Sequence, residues 1–346
     1  MKKILLLTTA IILFKIGFTQ GEIKVLFLGN SYTYVNDLPK IIEDIANKEG
    51  KKIIHESVTP GGCTLFQHVE SQNSLSKIRK GNWDYVILQE QSQLPVIDYY
   101  RQNKLKPSYK ALYDSIILYN PSAKVVGYMT WGRRYGGQQC VNFGDGLYCS
   151  ADFVDFNHMQ DTLTAAYCEN AYATNSYVAP VGEAWKAALL ANPELVLHSP
   201  DNSHPSYDGS YLAACVFYSV FWNESPVGIF HNELIDDTKA ELLQNIANDV
   251  VFNNLEKWNL KHENVGENIE KNHFEIINDP FIDNITIKNH DNTSYKIKIF
   301  DGKGSLIYEK KCYDKETIST NNNKGLLIIQ LIDNKNNTYI KKIVKC

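Results

Sequence analysis

The sequence has no charge of one sign in excess. Its 35 lysines and arginines against 39 aspartates and glutamates leave a net charge of -4. That balance argues against nucleic acid as a partner, and no acidic tail marks a highly charged one. CxxC pairs and HExxH are both missing, so no metal site is written here and no cofactor is expected. Beyond the first 20 residues no segment approaches the roughly 20 apolar residues of a bilayer span. The strand end in "VLFLGNSYTY" lacks the later glycines of GxGxxG and the Gly-Lys of a P-loop, which argues against both nucleotide fingerprints. Internal repeats and low-complexity tracts are also absent.

What is present begins with "MKKILLLTTAIILFKIGFTQ". Two lysines, an apolar run from Ile4 to Phe14 too short to span a bilayer, and small or polar residues have the layout of a secretory signal peptide over residues 1–20. Export changes how the cysteines are read, because an oxidising compartment permits disulfides. Cys140 and Cys149 flank the turn-rich "VNFGDGLY" and are the expected pair; Cys63, Cys168 and Cys215 lie in apolar or helical surroundings and are expected as buried thiols.

Strand-like runs recur at residues 23–28, 53–58, 85–88, 124–129 and 177–181, with segments of helical spacing between them. Strands apolar on both faces that alternate with helices predict a parallel sheet covered on both sides, a three-layer α/β domain over residues 22–258. Residues 259–274 are polar and read as a linker. From 275 to 346 the pattern turns to period two, with "DGKG" as a hairpin signal, and predicts a small antiparallel β domain.

In open α/β sheets, ligands bind outside the carboxyl ends of the strands. Ser31 stands at such an end, after Gly29. Near the close of the α/β region, "HSPDNSHPSYDG" carries Asp201 and His204 in a D-x-x-H arrangement. A nucleophilic serine needs a base to take its proton and a carboxylate to fix that base's tautomer, and one loop offers both.

The G-N-S of Gly29–Ser31, the "PGGCTL" of Pro60–Leu65 and this D-x-x-H resemble the blocks of the SGNH (GDSL-type) hydrolases. The resemblance implies a flavodoxin-like fold and a secreted serine esterase, with Ser31 as nucleophile, His204 as general base and Asp201 as its orienter. Its expected substrates are small-molecule or polysaccharide esters, O-acetylated carbohydrate among them. It also implies an oxyanion hole from the backbone N–H groups of Ser31 and Gly62 and a third-block side chain. There the sequence departs from the family, with "LQEQSQ" where G-x-N-D is usual. Gln91 is the better candidate for the missing asparagine, and Gln89 the reserve. The loop "TWGRRYGGQQC" follows the fourth strand, so Trp131, Arg133 and Tyr135 are expected to line a substrate pocket. A catalytically silent binding protein on the same fold is the alternative.

The stretches "NDPFIDNITI", "YKIKIFDGKGSLIYE", "GLLIIQLID" and "KKIVK" resemble the sorting domain of the type IX secretion system. That resemblance implies the secretion machinery as a partner, and a product secreted or attached to the outer cell surface.

Overall fold

The last four residues of β1 (Ile23–Leu28) alternate between two hydrophobic cores. Val25 and Phe27 face one core, Leu26 and Leu28 the other, so the strand must be covered on both sides. In this computed structural model, residues 22–260, 274–278, 284–289, 293–301, 305–319, 325–334 and 338–345 are described. The expected signal peptide, most of the expected linker and the "GKG" of the hairpin turn lie outside them.

Strand β1 pairs in parallel with β2 (Ile53–Val58) and β3 (Tyr85–Leu88). β3 pairs with β4 (Lys124–Tyr128), and β4 with β7 (Tyr177–Ala179). The order β2-β1-β3-β4-β7 is the flavodoxin-like one, and its direction reverses between β1 and β3. Between β4 and β7 runs a small antiparallel hairpin, β5 (Cys140–Asn142) and β6 (Leu147–Cys149). It seats Cys140 opposite Cys149 with Cα atoms 4.1 Å apart, joined by a disulfide. Cys63, Cys168 and Cys215 are free and buried.

The helices are α1 (Ser31–Tyr34), α2 (Leu38–Lys48), α3 (Leu65–Glu70), α4 (Gln72–Ile78), α5 (Asp98–Tyr100), α6 (Lys106–Tyr119), α7 (Phe156–Thr174), α8 (Val181–Ala191), α9 (Tyr207–Trp222) and α10 (Asp237–Phe252). One face of the sheet is covered by α2, α8, α9 and α10, the other by α3, α4 and α6. Helix α9 is apolar nearly all round because α2, α8 and α10 enclose it. The three-layer α/β architecture read from the sequence is therefore present. Among the described residues, no helix is long and apolar enough to cross a membrane.

The chain divides into two compact units, residues 1–262 and 263–346. In the second, β12 (Lys315–Ser319), β9 (Asn284–Asn289) and β8 (Phe274–Asn278) form one antiparallel sheet. β11 (Leu306–Cys312), β10 (Tyr295–Asp301), β13 (Gly325–Ile332) and β14 (Thr338–Lys345) form another. Ile285, Ile287 and Ile318 from the first sheet share one core with Ile297, Ile299, Leu327 and Ile329 from the second. Period-two alternation has produced a two-layer β sandwich.

Candidate active site

The turn after β1 is shaped by what stands behind it. A Cβ on Gly29 would lie 2.5 Å from Gln89 Oε1 and 2.8 Å from Thr33 Oγ1, so any larger residue would have to displace those side chains. Asn30 caps α1, its side chain accepting from Tyr32 N at 3.2 Å. Ser31 is the first residue of that helix, where the backbone N–H has no acceptor inside the helix. His68, fully buried on α3, bonds the Gly29 carbonyl through Nε2 at 3.0 Å and Ser74 Oγ through Nδ1 at 2.8 Å.

Ser31 Oγ lies 2.9 Å from His204 Nε2, and His204 Nδ1 lies 2.5 Å from Asp201 Oδ2. The carboxylate can only accept, so Nδ1 carries the proton and Nε2 is left to accept from Ser31 Oγ–H. Asp201 Oδ1 also accepts from Ser203 N at 3.0 Å and His204 N at 2.9 Å, closing the loop into a tight turn. Partial burial pushes the Asp201 carboxyl up, but the bonds from His204 and these two N–H groups outweigh it and bring its pKa to about 2.

The other strand ends meet here. Asn30 Nδ2 donates to Cys63 O at 2.8 Å, tying the β1 turn to the β2 turn. Cys63 N donates to Pro60 O at 3.1 Å, and Gly62 within that turn has φ +67°, a conformation that favours glycine. Gln89 Oε1 accepts from Asn30 N and Thr33 Oγ1, while its Nε2 donates to Asn30 Oδ1 and Glu90 O. Gln89 is 0% exposed, so its amide is committed to the fold and has no proton left for a substrate. Gln91 is half-buried; its Oε1 accepts from Gln93 N at 2.9 Å, which leaves the Nε2 protons available.

Of the three expected pocket residues, Trp131 departs from expectation. It is 1% exposed and stacked between Tyr32, at 4.5 Å, and Trp185, at 4.0 Å, with Nε1 donating to Ser203 O at 2.9 Å. An indole flat between two rings has no face for a ligand; here it holds the loop that carries His204. Arg133 reaches Tyr32 Oη at 2.7 Å, Ser203 Oγ, and Gln93 Oε1 at 3.3 Å. Its guanidinium therefore bridges α1, the loop after β3 and the loop between α8 and α9. Tyr135 is 69% exposed and lies against Arg134. His198, beside the acid loop, is buried, bonds Gly132 O at 2.9 Å, and has its pKa lowered to about 4 chiefly by burial. Tyr32, Gln93 and Ser203 were not singled out from the sequence. The position of Tyr32 beside Ser31 and of Ser203 beside His204 was the only signal available for two of them.

No protein-family model matches the chain. A search of curated proteins finds no match. Among solved structures, a DUF4886 family protein from Bacteroides uniformis superposes with a TM-score of 0.53 at 18% identity, over 67% of this chain and 95% of that one. An acetylxylan esterase from Geobacillus stearothermophilus gives a TM-score of 0.37 at 15% identity, over 57% of this chain and 94% of its own. An extracellular lipase from Streptomyces rimosus gives 0.40 at 15%, over 57% and 99%. At such identities the first likeness speaks for the fold alone, and the other two are too distant to argue from. Among the described residues no cluster of His, Cys, Asp and Glu could hold a metal ion.

Proposed function

We propose that this chain is a serine hydrolase acting on carboxylic esters, with O-acetyl groups on carbohydrate as the favoured substrates. The observation that carries the reading is the unbroken line of bonds from Ser31 Oγ through His204 to Asp201. Ser31 Oγ attacks the ester carbonyl while its proton passes to His204 Nε2. Asp201 steadies the imidazolium, and the oxyanion is met by the N–H groups of Ser31 and Gly62 and by the Gln91 amide. Collapse expels the alcohol, which takes the proton from His204. Water, deprotonated by the same histidine, then attacks the acyl-enzyme and releases the acid. Arg133 and Tyr135 contribute to the substrate-binding surface. The carbohydrate preference rests on the resemblance of the second unit to a type IX sorting domain, which implies export to the outer cell surface.

A fluorophosphonate probe should label the wild-type protein, and peptide mapping should place the adduct on Ser31. S31A should not label. Absence of labelling under conditions that label a control esterase would favour a catalytically silent binding protein.

A further inference from the structure

Among the described residues, Glu90 is the only fully buried carboxyl group, at 0% exposure. No cation pairs with it there. Its Oε1 accepts from Gln91 N at 2.7 Å, both oxygens face Leu65 N at 3.2 and 3.3 Å, and Tyr100 Oη bonds Oε2 at 3.3 Å. A buried carboxyl without a cation is costly, and burial pushes its pKa up to about 8. An apolar residue would avoid that cost.

Its partners point to a role. Leu65 N is the first N–H of α3, three residues after Gly62, and Gln91 N belongs to the residue whose amide is the proposed oxyanion donor. One carboxyl group thus grips the two stretches on either side of the proposed hole. We propose that Glu90 is a positioning residue that fixes the spacing between Gly62 and Gln91, and with it the fit of the oxyanion hole. This rests on the Ser31 reading above.

The titratable groups that face Glu90 are Cys63 from the β2 turn, Tyr100 from α5 and Tyr167 from α7. Burial leads the causes that raise all three above their ordinary values, which leaves Glu90 as the member of the group that changes charge near pH 8. The three groups bonded to its side chain, Leu65 N, Gln91 N and Tyr100 Oη, all donate, so the ionised form suits them best.

The test uses the full chain with 4-nitrophenyl acetate. E90Q keeps the shape but turns an NH2 toward one of the donors. The expected result is a tenfold or larger fall in kcat with KM changed less than twofold, and slower fluorophosphonate labelling. Wild-type kcat should also rise through an inflection near pH 8 that E90Q lacks. Should E90Q fail to fold, the wild-type profile alone decides, since a flat kcat around pH 8 overturns the proposal. So does an E90Q kcat within twofold of wild type. Wild-type protein that does not label at all overturns both this inference and the Ser31 reading; labelling unaffected by E90Q overturns this inference only.

Discussion

Asn30 and Gln89, 59 positions apart in sequence, exchange two hydrogen bonds of 2.9 Å. Asn30 N donates to Gln89 Oε1, and Gln89 Nε2 donates to Asn30 Oδ1. The turn that presents Ser31 is thereby clamped to the end of β3, across the point where the strand order reverses.

Breaking that clamp should damage stability first. Q89A leaves Asn30 N buried without its acceptor, at about 1–3 kcal/mol for the unsatisfied group, while Asn30 Oδ1 keeps its bond from Tyr32 N. A drop of that order in urea-unfolding free energy is expected, and a Q89A protein as stable as wild type would show that the clamp contributes nothing.

Gln91 should behave differently. It is half-buried and its Nε2 protons are uncommitted, so Q91A should fold normally yet lose ~10²-fold or more in kcat with KM little changed. Steady-state kinetics beside a thermal melt separates the two glutamines; a kcat loss confined to Q89A would remove Gln91 from the oxyanion hole.

D201N should lower turnover by on the order of 10⁴-fold, because the imidazole loses the partner that fixes its tautomer. With its pKa at about 2, Asp201 is ionised from pH 4 to 9, and the deficit should be constant across that range. A deficit that shrank toward pH 4 would mean that Asp201 titrates there.

Glu90 makes a prediction about stability as well. Its folded pKa, about 8, lies above the ordinary carboxylate value of 4.5, so the native state holds the proton more tightly than the unfolded chain. The contribution is fully present below the ordinary value and is lost as pH rises through about 8. Urea titrations at pH 5 and pH 9 should show wild type losing stability relative to E90Q at the higher pH. Parallel behaviour of the two proteins would contradict the raised pKa.

A chain ending at residue 260 should fold and keep esterase activity, since each unit has its own hydrophobic core. It should also lose surface attachment in the native host. Inactive or insoluble truncated protein beside an active full chain would make the second unit part of the catalytic one.

Local signals carried the fold. Runs such as Ile23–Leu28 are apolar on both faces, and the switch to period two near residue 275 announced a different architecture. Asp201 and His204 were legible as candidates because they stand three residues apart on one loop, and Ser31 because it follows β1 closely; that Ser31 Oγ meets His204 across 173 positions is set by the fold. The roles of Gln89 and Trp131 were not legible. Gln89 read as a reserve oxyanion donor and Trp131 as a pocket wall; what buries them comes from elsewhere in the chain, Asn30 in one case and the Tyr32 and Trp185 rings in the other. Glu90 was unreadable for the same reason, two of its partners being backbone N–H groups with no sequence signature and the third the Tyr100 hydroxyl.

The ring stack described above also has an optical consequence. Trp131 and Trp185 lie 4.0 Å apart and within 6° of parallel, close enough for their indole transitions to couple. The near-ultraviolet circular dichroism of the folded protein should therefore carry a feature from this pair that W185F abolishes. Because Trp131 Nε1 also holds the carbonyl beside His204, the feature should follow the geometry of the acid loop. The molecule thus contains an unlabelled spectroscopic gauge of its own site, readable during turnover in a stopped-flow cell.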